Sequence, residues 1–110
     1  MAVTRAVTLL AIVAMAMACG EAPDATKAVA DDGRPDGEGI YGMYCELCHG
    51  ADGKLGVNGA KDLTQSLLSR DEMLAVVSHG RKTMAAYATV LNAAQIEAVV
   101  DHVRALHKVP

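Results

Sequence analysis

The stretch Cys45-Glu46-Leu47-Cys48-His49 constrains this chain more than any other. Two thiols three residues apart lie about one helical turn from each other, so both can reach the edge of one flat macrocycle. A histidine directly after the second thiol carries its imidazole beneath such a ring. This is the spacing at which haem is attached covalently, by thioether bonds to its two vinyl groups, with the histidine as an iron ligand. A bare Cys-x-x-Cys also serves thiol–disulfide exchange or supplies half of a zinc site. A redox pair wants a preceding strand in a βαβ pattern, and the sequence shows none. A zinc site wants two more close-set ligands, whereas the chain offers scattered His79, His102 and His107 and the distant Cys19.

Composition agrees with a buried cofactor. A length of 110 residues bounds the chain to one small domain. It has no Trp, no Phe and only three Tyr, too few large side chains for a thick core. A haem would supply the missing apolar volume. The 10 basic and 13 acidic residues leave a net charge of −3, which gives no support to nucleic-acid binding.

The first eighteen residues are nearly all apolar. Arg5 gives a positive start, and Ala6 to Met17 is an uncharged run shorter than the about 20 residues of a membrane span. Residues 1–18 therefore read as a signal peptide, with Ala16-Met17-Ala18 satisfying the small-x-small rule before Cys19. The same stretch resembles a bacterial lipoprotein signal, which implies lipidation of Cys19 as the new N-terminus. With Cys45 and Cys48 taken by haem, Cys19 is otherwise an odd thiol in an oxidising compartment. Residues 19–36 read as a flexible, lipid-anchored tether. Gly20 to Asp36 is rich in Ala, Asp and Pro without apolar periodicity, and spans about 20–25 Å root-mean-square if flexible.

From Gly37 onward the chain resembles class I cytochrome c. Gly37, Ile40 and Tyr41 stand where that family's N-terminal helix has a close-crossing glycine and an apolar-aromatic pair ahead of the first cysteine. Cys45 to His49 follows, then a turn-rich loop, Ala51 to Ala60. The family ends this loop in Gly-Pro and uses the proline carbonyl to accept the proton of the axial imidazole. Here the pair is Gly59-Ala60, and the resemblance implies that the Ala60 carbonyl serves instead. Ser69-Arg70-Asp71-Glu72 is a capping box, and His79-Gly80 a helix stop. Met84 and Tyr87 match the methionine and aromatic of the family's second-ligand loop, with Ala85 in place of a proline. Met73 falls in a helix and reads as packing. Asn92 can cap a last helix, on which Ile96, Val99, Val100, Val103 and Leu106 form an apolar stripe. His102, where the family usually has an aromatic, reads as a packing substitute.

The expected fold is all-α: three main helices, at about 37–48, 69–79 and 92–107, in a cytochrome c domain spanning 37–110 around one covalently attached haem c. Cys45 and Cys48 are the expected attachment points and His49 and Met84 the expected iron ligands. Such a ligand set implies one-electron transfer in a bacterial respiratory or related redox chain, by a non-enzymatic carrier. A haem-based ligand sensor or peroxidase-like protein with a labile methionine, or a fixed haem subunit of a larger oxidoreductase complex, are the alternatives. The protein is expected to be an exported, periplasmic monomer, held to the membrane only by lipid at Cys19 and exchanging electrons with redox partner proteins. Lys54, Lys61, Arg81 and Lys82 flank the expected haem loops and suggest a locally basic rim.

Overall fold

The computed structural model describes residues 28–107. The expected signal peptide, Cys19 and the first part of the expected tether lie outside the described residues.

The described residues form four α-helices: α1 (Gly37–Tyr44), α2 (Glu46–His49), α3 (Arg70–His79) and α4 (Ala93–Leu106). Two 3₁₀ turns, Val57–Gly59 and Leu63–Gln65, punctuate the long connection between α2 and α3. Two isolated bridges, Val29 with Pro35 and Arg81 with Met84, are the extended pairings among the described residues. No helix among them is long and apolar enough to cross a membrane.

The starts of α1, α3 and α4 each have a local cause. The Asp36 carboxylate accepts from the Glu38 N–H and opens α1. The expected capping box opens α3: the Ser69 hydroxyl accepts from the Glu72 N–H at 3.3 Å, and the Glu72 carboxylate accepts from the Ser69 N–H at 2.7 Å. Asn92 and Gln95 form the same reciprocal pair at the head of α4, each bond 2.9 Å long.

Helices α1 and α4 cross where neither has bulk. A Cβ on Gly37 would collide with the Ala98 carbonyl oxygen and lie 2.7 Å from its carbon, so the close approach needs glycine there. Ile40 and Tyr41 from α1 bury themselves against Ile96, Val99, Val100 and Val103 from α4, and Met73 of α3 and Leu91 close the core. Full burial of a side chain such as Ile40 contributes about 1.5–3 kcal/mol. Leu106 ends the stripe half-buried. The His102 ring packs on Tyr41 with centroids 4.9 Å apart, the packing place read for it. Arg70 ties the head of α3 to α4 through its bidentate pair with Asp101, at 2.8 and 3.3 Å.

Two expectations need correction. The single helix expected over 37–48 breaks at Cys45 (φ −116°, ψ −35°), whose N–H still bonds to the Tyr41 carbonyl while a new turn starts from its own carbonyl. The tether was expected to run to Asp36, but residues 28–36 fold into a closed turn. The Asp36 N–H bonds to the Ala28 carbonyl at 3.0 Å, Arg34 pairs with Asp32, and Ala28 is buried in the core. A small apolar residue ahead of a turn-forming Asp-Asp-Gly carries no periodic signal, so its burial is invisible to pattern reading.

Candidate functional site

Cys45 caps the start of α2 and Cys48 lies within it, with the Cys48 N–H directed at the Cys45 carbonyl at 3.2 Å. Both thiols are half-buried and free. Burial, and secondly the neighbouring Cys48, push the Cys45 thiol up to about 11. A protonated thiol is a poor nucleophile for disulfide exchange, and the site lacks the strand that a thioredoxin-like pair would follow. Among the described residues no group of three or more His, Cys, Asp or Glu side chains gathers around one point, so His79, His102 and His107 do not complete a zinc site.

Beyond α2 the chain reverses at Gly50 (φ +77°), where a Cβ would meet Leu55. The buried Tyr41 hydroxyl donates to the Gly50 carbonyl at 2.6 Å, which pins the turn after His49 to the core helix. Burial, then nearby Cys45, Glu46 and Asp52, push this phenol up to about 12, so it stays a donor through the neutral range.

The His49 Nδ1 lies 3.1 Å from the Lys61 carbonyl. A carbonyl only accepts, so Nδ1 carries the hydrogen and Nε2 keeps its lone pair for a metal. The acceptor expected at Ala60 is thus one residue further on. The glycines at 56 and 59 and Asn58 all take positive φ, and this winding carries the Lys61 carbonyl, not that of Ala60, to the ring.

Met84 sits in a tight turn closed by two main-chain bonds, Arg81 N–H to Met84 O at 3.1 Å and Met84 N–H to Arg81 O at 3.0 Å. Downstream, the Tyr87 N–H bonds to the Val77 carbonyl at 2.9 Å. The Tyr87 hydroxyl donates to the Tyr44 carbonyl at 3.0 Å, and the two rings meet edge to face at 6.0 Å.

Cys45, Cys48, His49 and Met84 all line one cavity of about 680 Å³. Its size is in the range of cofactor sites. Val57, Leu63, Leu68, Met73, Val76 and Val103 give it apolar walls. Lys61, Arg81 and Lys82 line it as well, with Asp62 among them, whereas Lys54 does not. Pattern reading missed the Tyr41 bond to Gly50, the Lys61 carbonyl and a bond from the Thr83 hydroxyl to the Asn58 carbonyl. All three acceptors are main-chain carbonyls, for which residue identity gives no signal.

Paired thiols, an adjoining imidazole with a free Nε2 and a thioether around one apolar cavity fit haem by their donor chemistry, and this helical fold is that of a c-type cytochrome. Residues 32–103 match the family described as cytochrome C oxidase, cbb3-type, subunit III, and the chain belongs to that family. Its cofactor is a covalently bound haem c with iron. The chain is 38% identical over 79 residues to the dihydro-heme d1 dehydrogenase of Pseudomonas aeruginosa, a match that covers 68% of this chain and 16% of that protein. It therefore spans only a small part of that relative. The fold is similar to that of the KustC0563 c-type cytochrome, with a TM-score of 0.60 and 24% identity over 64% of this chain and 96% of the other. It is also similar to a chain of the Kuenenia stuttgartiensis reducing HAO-like protein complex Kustc0457/Kustc0458, with a TM-score of 0.53 and 19% identity over 73% of this chain and 43% of that one.

Proposed function

We propose that this chain carries single electrons in a bacterial respiratory or related redox chain, with Cys45 and Cys48 as thioether anchors and His49 and Met84 as the two iron ligands. The supporting observation is that all four side chains line one apolar cavity. When bound, the haem supplies a one-electron couple, whose potential a His/Met ligand set raises. The Lys61 carbonyl holds the His49 ring in one tautomer and increases its basicity as a ligand. Met84 offers a thioether, which has no proton to exchange. Two protein side chains on the iron leave no position for substrate, which favours a carrier over an enzyme.

In the same reading, residues 1–18 direct export, Cys19 is lipidated, and the tether ends before Ala28. The domain exchanges electrons with partner proteins in the periplasm. A second reading is a fixed haem domain serving a larger oxidoreductase. The match to a small part of a dehydrogenase favours it.

Carbon monoxide tests the ligand set. The native ferrous protein should not bind it readily, whereas Met84→Ala should. The ferric protein should show the weak red charge-transfer band of a sulfur ligand, lost in that variant. Rapid binding by the native protein would overturn the carrier reading in favour of a ligand sensor or peroxidase-like protein. Capture of partners from membranes separates a free carrier, which exchanges partners, from a fixed subunit, which keeps one in stable proportion.

A further inference from the structure

We infer that Thr83 is a positioning residue, clamping the loop that bears Met84 onto the loop that holds His49. The inference rests on the reading of Met84 as an iron ligand. The Met84 loop leaves α3 at Gly80 (φ +76°), where a Cβ would lie 2.6 Å from the Met84 carbonyl oxygen. It returns to α3 through two main-chain bonds, Tyr87 to Val77 and Ala88 to Ser78. Both ends are therefore fixed, and the Arg81–Met84 turn, closed by its own two main-chain bonds, forms the tip between them. Lys82 at that tip sits in the left-handed region (φ 54°), which a side chain adopts only when its surroundings hold it there.

Among the described residues, the hydrogen bond that ties this tip across the cavity is Thr83 Oγ1 to the Asn58 carbonyl, at 3.2 Å. Asn58 is itself left-handed (φ 53°), a conformation that Asn tolerates better than most residues. It lies three residues before Lys61, the acceptor for His49. His49, Lys61, Asn58, Thr83 and Met84 thus form a continuous linkage in which main-chain segments alternate with two hydrogen bonds. With Ala85 where a proline would stiffen the loop, this bond restrains the thioether from the side next to Met84.

The test uses the haem-loaded protein and two substitutions at this exposed position. Thr83→Val keeps the shape and removes the donor, while Thr83→Ser keeps the hydroxyl. The rate of carbon monoxide binding to the ferrous form and the loss of the ferric sulfur band on warming are measured. Thr83→Val should bind about two- to tenfold faster, the population change that one net hydrogen bond produces, and lose the band at lower temperature. Thr83→Ser should stay within about twofold of wild type, since the same donor remains. A valine variant indistinguishable from wild type, or a serine variant as fast as valine, would overturn the clamp. A native protein without the sulfur band, or one whose band survives Met84→Ala, would overturn the ligand assignment and the clamp together.

Discussion

The imidazole of His49 is held by the main chain of Lys61, twelve residues further along, at 3.1 Å. Because the acceptor is a peptide carbonyl, the Lys61 side chain plays no part in holding the ring. Lys61→Ala should therefore leave the haem low-spin with unchanged ligands, as read from its absorption and magnetic spectra. A ligand change in that variant would show that the side chain holds the site.

Ala60→Pro probes the same loop. Ala60 has φ −56°, compatible with proline, but its N–H bonds to the Val57 carbonyl at 3.0 Å. Proline would gain about 0.4–1 kcal/mol from a stiffer unfolded chain and lose a hydrogen bond contributing about 0.5–1.5 kcal/mol. The two nearly cancel, so denaturant unfolding should place the variant within about 1 kcal/mol of wild type. A loss well beyond that would mean that the loop cannot keep its path without the Ala60 bond.

Two glycines of α1 should respond oppositely to alanine. At Gly37 the new methyl meets the α4 backbone, which cannot retreat without separating the helices. A loss of about 2 kcal/mol or more is expected, in the range for overpacked interfaces. At Gly42 the nearest atom is the flexible Glu46 carboxylate at 3.5 Å, and helix propensity should add up to about 1 kcal/mol of stability. Thermal unfolding of the two variants checks both signs, and equal effects would contradict the crossing described.

Tyr41→Phe keeps the ring in the core but leaves the Gly50 carbonyl without its donor. Removing one partner of a buried bond costs about 1–3 kcal/mol. The turn after His49 should also loosen, seen as faster amide exchange at Gly50–Gly53. A variant as stable as wild type, with unchanged exchange, would show that the hydroxyl is dispensable.

The Arg70–Asp101 pair gives an acid-side dependence. The Arg70 hydrogen bond holds the Asp101 carboxyl below the usual carboxylate range. A depressed pKa contributes stability that is present above the unfolded value and lost as pH falls through the folded one. Asp101→Asn should flatten the fall in stability over the acid range and change little at neutral salt-screened conditions, since the pair is exposed. An unchanged acid slope would show that the pair contributes nothing measurable.

How far the sequence could be read depended on range. The Ser69 and Asn92 caps and the α4 stripe were legible, because each lies within one helix, whereas the glycine crossing at Gly37 followed from the resemblance to class I cytochrome c. The break at Cys45 was not, since nothing in Tyr44-Cys45-Glu46 disfavours a continuing helix. Nor was Lys61 as the His49 acceptor, which depends on the summed path of four positive-φ residues between 53 and 59. The burial of Ala28 depends on a turn that only tertiary contact makes worthwhile. The Thr83 bond joins two loops 25 residues apart and has no local signature.

Four carbonyl oxygens, of Tyr44, Gly50, Asn58 and Lys61, receive the bonds from Tyr87, Tyr41, Thr83 and His49 around this cavity. No substitution at the accepting positions deletes an acceptor, provided the chain keeps its course. Lys61 in particular can change in charge and size while the His49 ring keeps its main-chain acceptor. A lineage can thus retune the outside of the molecule at this loop without passing through variants that lose the cofactor.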